Sequence, residues 1–236
     1  MQLQAEDIDR ICAESDIWNE LLTLNNASIL ELGCGTAELT RQIALSGVDC
    51  QLTAMEVDKI QHAKNLKITD LPNVRFVAGG AEKIPAKDAS FDVVLMFKSL
   101  HHVPLDQMDM AMSEIRRVLK SGGVAYISEP IFAGDFNEIL RLFHDEEQVR
   151  KAAFEAVKGA VERGCFTLVD EVFFLSRIHF MNFAEFEEKV ISVSHSQHHL
   201  SEVIYEPVRQ SFNMVMTANG AHFLMPMRVD LLEVVK

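Results

Sequence analysis

Two glycines and two carboxylates carry the most informative chemistry in this chain. The run Ile29-Leu30-Glu31-Leu32-Gly33-Cys34-Gly35-Thr36-Ala37-Glu38-Leu39-Thr40 sets Gly33 and Gly35 between an apolar stretch and one with helical patterning. Glycines there allow backbone torsions and a close ligand approach that side chains block. The helix that follows offers unpaired N–H groups suited to the carboxylate of an amino-acid ligand. Glu56 stands 21 residues after Gly35, at the end of the next apolar stretch. From that position a carboxylate accepts both hydroxyls of a ribose. A dinucleotide site would place its third glycine at Glu38, where a carboxylate would face the pyrophosphate, so a dinucleotide is not expected.

Other residues suit an acceptor rather than a nucleotide. His101 and His102 follow the apolar stretch Phe91 to Phe97, and Glu129 ends another, so all three sit at one mouth. A histidine there is either a base for an acceptor that must lose a proton or a packing and capping group, and both readings stay open. Glu129 likewise either orients an acceptor or simply ends its strand before Pro130. His195, His198 and His199 invite a metal because imidazole ligates zinc or iron. Their stretch reads as a loop between two helices, so no metal is expected. Cys12, Cys34, Cys50 and Cys165 form no C-x-x-C pair and read as reduced thiols.

These groups need elements to hold them. Ser28 to Leu32 is a short strand, and Glu38 to Leu45 a helix closed by Gly47. The alternation continues through Cys50 to Glu56, Lys59 to Leu66, Val74 to Val77, Phe91 to Phe97, Asp106 to Leu119 and Val124 to Ser128. Parallel strands need crossovers, so this rhythm predicts a doubly wound α/β sheet. Ligands of such sheets bind beyond the carboxyl ends of the strands, where the winding reverses. Residues 6 to about 25 have helical spacing at Ile8, Ile11, Ile17, Trp18, Leu21 and Leu22. Phe136 to Val161 reads as a helical insertion that the sheet does not need. Glu171 to His179 then reads as a strand, Ala184 to Val193 and Leu200 to about Thr217 as helices, and Phe223 to Val235 as a strand. Pro226 inside the last suggests an edge, a bulge or a strand start.

Charge and composition narrow the partners. Lys and Arg number 22 against 35 Asp and Glu, a net charge of −13 that repels phosphate backbones, so nucleic acid is not expected. No apolar run is long enough to span a bilayer, and the first residues lack a basic then apolar leader pattern, so a cytoplasmic protein is expected. A small acceptor fits best. The oligomeric state, monomer or homodimer, is left open.

The run Leu30 to Thr36 resembles motif I of the class I S-adenosylmethionine-dependent methyltransferases. Further matches follow in that family's order: Met55 to Asp58, Gly79 to Pro85, Ser90 to Val94, Leu100 to Val103 and Arg117 to Gly123. Together they cover roughly residues 29 to 130 and are similar to the branch containing ubiquinone and menaquinone biosynthesis methyltransferases. The resemblance implies a Rossmann-like fold with a seven-stranded, mostly parallel sheet whose last strand is antiparallel, here with a helical insertion after strand 5. It implies one domain over 1–236, divided into an N-terminal helical segment (1–27), a cofactor-binding half (28–130), a helical insertion or lid (131–170) and a completion of the sheet (171–236).

By that resemblance S-adenosylmethionine is the cofactor and S-adenosylhomocysteine its product. Glu31, Gly33, Cys34, Gly35 and Thr36 would surround the methionine part, Glu56 would hold the ribose, and Val57 would pack on adenine. Ala81 and Glu82 would border the adenine edge, and Phe97 and Lys98 would close the site near the sulfonium. Two departures stand out. Ala37 replaces a frequent third glycine, predicting a tighter or slightly shifted turn, and Gly80 replaces a frequent aspartate, leaving the adenine amino group to Glu82, a carbonyl or water. The implied activity is methylation of a small molecule, with the insertion and the segment near Trp18 closing over an apolar acceptor pocket. A protein side chain as acceptor, another reaction of the same cofactor, and a non-catalytic binding module remain as alternatives.

Overall fold

Each apolar run that ends in a helix leaves the chain on the far side of a sheet, so the next strand adds in parallel. The computed structural model describes residues 1–192 and 200–235. Its first half runs α1 (Glu14–Leu21), β1 (Ser28–Leu32), α2 (Glu38–Ser46), β2 (Gln51–Glu56), α3 (Lys59–Asn65), β3 (Val74–Ala78), β4 (Phe91–Phe97), α4 (Met108–Val118) and β5 (Leu119–Pro130). The second half runs α5 (Asp135–Leu140), α6 (Glu147–Glu162), β6 (Phe166–Phe180), α7 (Phe183–Phe186), α8 (Glu202–Met214), β7 (Met216–Thr217) and β8 (Gly220–Val234).

The strand order is β3-β2-β1-β4-β5-β8-β6, with the two-residue β7 beside β8. Strands β1 to β5 pair in parallel, and β8 runs antiparallel to both β5 and β6. This is the expected Rossmann-like sheet with its last strand reversed, enlarged by β7. The winding reverses between β1 and β4, which opens a crevice at their carboxyl ends. One face is covered by α4 and α6, through Ala111, Met112 and Ile115 against Ala153, Val157 and Ala160. The other face is covered by α1 and α2, through Trp18, Ile43 and Ala44.

The second half departs from the sequence expectations in several ways. Phe136 to Val161 is mainly helical as expected, in two pieces, α5 and α6, but α6 is a crossover rather than a spare element. The reason is topological, since β6 runs in the same direction as β5 and the chain must recross the sheet to reach it. Strands β6 and β8 are longer than read, because they pair with each other from Phe166↔Val234 to Phe180↔Ala221. Only Glu14–Leu21 of the N-terminal segment is helical. Residues before it lie along the open edge of β6, where Leu175 N donates to Arg10 O (2.7 Å) and Cys12 N to Leu175 O (3.2 Å). That contact blunts an otherwise bare edge strand.

Pro226 lies inside β8, between two neighbours, yet breaks no ladder. Ile131 N donates to Pro226 O (2.9 Å), so the side on which proline lacks its N–H faces the end of β5, past the Pro130↔Met227 pair. A third apolar cluster gathers Phe136, Phe180, Phe186, Val208, Phe212 and Phe223 from α5, the tips of β6 and β8, α7 and α8. Among the described residues no helix is long and apolar enough to cross a membrane. The His195, His198 and His199 run lies outside the described residues.

Candidate functional site

The turn after β1 is tied down from three sides. Gly33 N and Cys34 N both donate to Met55 O at the end of β2 (3.0 and 2.9 Å). Asn65, the buried last residue of α3, donates from Nδ2 to Gly35 O (2.8 Å) and toward Cys34 Sγ (3.4 Å). Ser99, just after β4, donates from Oγ to Leu32 O (2.8 Å). Asn65 and Ser99 were not legible in the sequence, because each is far along the chain and belongs to no motif that points at a glycine turn. Cys34 is buried, and burial pushes its thiol well above the usual range, so its place in the turn is a packing one.

The glycines have separate reasons. Gly33 takes φ +76°, and a Cβ there would sit 2.7 Å from Ser99 Cβ, so the residue is required by the protein's own packing. Gly35 takes φ +53°, and a Cβ there would meet nothing within 4 Å, so the space beside it is open. Ala37, in place of a third glycine, is buried and holds φ 63° as the N-cap of α2. The left-handed torsion costs an L-residue about 1–2 kcal/mol, so the turn keeps its shape at the expense of strain.

Two carboxylates flank this turn. Glu56 Oε2 accepts from Gly35 N (2.7 Å) and its Oε1 from Asp58 N (2.8 Å), which fixes the group while leaving each oxygen a further lone pair. Glu31 is buried, with Thr40 Oγ1 donating to its Oε2 (2.6 Å). Burial lifts the Glu31 carboxyl to about 7, with the Thr40 bond opposing and the Glu56 charge adding. Among the described residues no lysine or arginine pairs with it. A buried carboxyl held near neutrality at an open backbone turn suits a ligand that brings a positive charge, and the pinned Glu56 suits hydroxyls.

Val57 and Thr36 are exposed beside these groups, and Ala81 is buried just past β3. A Cβ at Gly80 would run into the carboxylate end of the Glu82 side chain, a flexible group that would swing aside, so Glu82 lies over the position where an aspartate would stand. Phe97 and Lys98 part company. Phe97, pointing to the α1 and α2 face, is buried between Trp18 and Tyr126 with ring centroids 5.5 Å from each, so it is core and does not close the site. Lys98, one residue on and at φ 52°, is exposed and lines a cavity.

His101 and Glu129 are brought together, but toward each other. His101 Nδ1 bonds Glu129 Oε2, Leu100 N donates to Glu129 Oε1 (2.8 Å), and His101 Nε2 lies 3.6 Å from Glu146 Oε1. Arg150 donates to Glu146 Oε2 from Nε and Nη2 (3.1 and 2.5 Å). Burial draws His101 down, yet the Glu129 and Glu146 carboxylates outweigh it and hold the imidazole above its usual range. Burial pushes Glu129 up, and the His101 charge and hydrogen bond pull it below the usual carboxylate range. The pair is a buried ion pair, and His102 alone of the two histidines is exposed. Donor atoms of His101, His102 and Glu146 lie within 4.8 Å of one another, but the imidazolium and Arg150 already supply positive charge there.

The cavity beside Lys98 measures about 450 Å³ and is bordered by Glu14 of α1, Leu39 of α2, Arg177 of β6 and Met225 and Met227 of β8. The 136–160 stretch expected to cover an acceptor contributes nothing to it, because α6 faces α4. Glu14 was not legible as a site residue: in sequence it is one acid in a first helical turn. In the fold its Oε1 accepts from Tyr126 OH (2.7 Å).

Comparison with known proteins agrees with this geometry. Residues 30–127 match a family described as "Methyltransferase domain". The chain is 31% identical over 157 residues to an O-methyltransferase of Aspergillus nomiae, covering 62% of this chain and 68% of that one. It is 32% identical to a sterol 4-C-methyltransferase of Caenorhabditis elegans over 48% of this chain and 34% of that one. It is 28% identical to a demethylmenaquinone methyltransferase of Chlorobaculum tepidum over 56% and 52%. The chain thus spans about a third and about half the length of the last two. The crystal structure of the YcgJ protein from Bacillus subtilis superposes with TM-score 0.63 at 15% identity, over 89% of this chain and 92% of that one, a likeness of fold.

Proposed function

The chain belongs to the S-adenosylmethionine-dependent methyltransferase family, and on that premise we propose that it methylates a small-molecule acceptor held in the cavity beside Lys98. The observation that carries the reading is the open side of Gly35 set between the buried Glu31 and the pinned Glu56. Glu56 would take the ribose hydroxyls on its unused lone pairs. Glu31 would face the cationic amino-acid end, which would stabilise its ionised form. Val57 and Ala81 would bracket the base, with Glu82 at its edge. Bound there, S-adenosylmethionine supplies a methyl group on a positively charged sulfur.

The residues around the crevice then have a task of alignment and water exclusion rather than of activating the donor. Lys98, exposed just after β4 and on the cavity wall, would stand between the donor and its acceptor. His101 and Glu129 would act by position: the Glu129 bond to Leu100 N sets the turn after β4, and Ser99 in that turn holds the glycine loop. Relatives whose names specify a sterol, a quinone precursor or O-methylation support a small acceptor.

Calorimetry with S-adenosylhomocysteine tests the donor site. Binding by the wild-type chain and a loss of about 2–3 kcal/mol in Glu56→Ala are expected, since the truncation removes charge-assisted hydrogen bonds. A labelled methyl group should then appear in the small-molecule fraction of a metabolite extract. Absence of S-adenosylhomocysteine binding at millimolar concentration would refute the reading.

A further inference from the structure

Glu14 is the carboxylate that faces the cavity from a fixed position. Tyr126, fully buried in β5, donates its phenol to Glu14 Oε1 at 2.7 Å, and Ser128 is a second hydrogen-bonding neighbour; together they orient the group, and a carboxylate keeps further lone pairs for another donor. Lys98 stands on the same wall, at the carboxyl end of β4. The rest of the lining sets the apolar Leu39, Met225 and Met227 beside the polar Gln42, Ser176 and Arg177. Burial lifts the Glu14 carboxyl above its ordinary value, against the lowering effect of the Tyr126 bond. A half-buried carboxyl whose hold on a proton is strengthened, set on a partly apolar wall, suits the role of proton acceptor.

Resting on the methyltransferase reading, we propose that Glu14 receives the proton of the methyl acceptor, and that the acceptor is a small apolar molecule bearing an O–H or N–H group. The heteroatom–hydrogen bond breaks, the proton passes to a Glu14 oxygen, and the electron pair left behind forms the new bond to carbon. The pair of the carbon–sulfur bond stays on sulfur, so no oxidant or reductant enters. Glu129 does not line this cavity: it is buried and ion-paired to His101. Glu38, the other acid on the lining, is exposed in the first turn of α2 and has no such orienting bond among the described residues.

The test is calorimetry in the presence of S-adenosylhomocysteine, with 4-propylphenol, 3-phenylpropylamine and propylbenzene as probes sharing one apolar body. The phenol or the amine should bind the wild-type chain at least about tenfold more tightly than propylbenzene. Glu14→Gln should erase that preference while leaving S-adenosylhomocysteine affinity unchanged, and Glu14→Asp should restore part of it. Glutamine keeps an oxygen for Tyr126, and an unchanged melting temperature verifies the fold. Equal binding of all probes, a preference that survives Glu14→Gln, or no binding of either polar probe while S-adenosylhomocysteine binds would overturn the proposal. Failure of S-adenosylhomocysteine itself to bind wild-type protein is a distinct result, and it overturns the donor reading beneath.

Discussion

Gly33 and Gly35 are the same residue type two positions apart, and the structure uses them differently. Gly33 is hemmed in by Ser99, so Gly33→Ala should destabilise the fold by about 2–4 kcal/mol, read as a shift in denaturant midpoint. Gly35 has open space beside it, so Gly35→Ala should cost only about 1–2 kcal/mol for its torsion. In exchange, its S-adenosylhomocysteine affinity should fall by about tenfold or more, because the methyl occupies the ligand's side of the turn. The motif was legible because both glycines need positive φ. Which one serves the ligand was not, since that depends on Ser99, 66 residues after Gly33 in the sequence. Phe97 makes the same point. Its position at a strand end suggested the site, and the alternation of β4 turned its ring into the core against Trp18 and Tyr126.

At the scale of elements, the first five strands followed from the alternation of apolar runs and helices, whose periods differ enough to be told apart. The second half was harder because its strands are buried by each other. β6 and β8 pair along 14 register positions, and only that pairing fixes their lengths. Their tips carry the third apolar cluster, in which Phe212 of α8 is fully buried and meets the rings of Phe180, Phe183, Phe186 and Phe223. Phe212→Ala should cost about 3–5 kcal/mol of local stability. Hydrogen exchange should show the loss in α7, α8 and the tips of β6 and β8, with donor binding unchanged.

Across the whole molecule, the second half meets the first through buried charge. His101 lies between Glu129 of β5 and Glu146 at the start of α6, and Arg150 of α6 completes the group. The raised His101 value means that its contribution is fully present below the unfolded pKa and is lost as pH rises through the folded one. The lowered Glu129 and Glu146 values act oppositely, present above their unfolded pKa and lost as pH falls through the folded ones. His101→Gln should therefore destabilise the chain by about 3–5 kcal/mol near pH 6, where two buried carboxylates lose their shared cation. The deficit relative to wild type should narrow as pH rises through the raised His101 value, as measured by urea unfolding.

What the sequence determined by itself was the proposed donor half: the glycine turn, Glu56 one strand later, and the alternation of strands and helices that makes the sheet parallel. Those features are local, set by torsion and by hydrophobic period, and so are written along the chain. The wall proposed for the acceptor was, Lys98 apart, decided by tertiary structure. Glu14, Lys98, Arg177 and Met225 come from four separate elements, and only the antiparallel insertion of β8 between β5 and β6 brings them to one wall. Spacing in the sequence carries no record of that meeting, because it is a product of strand order.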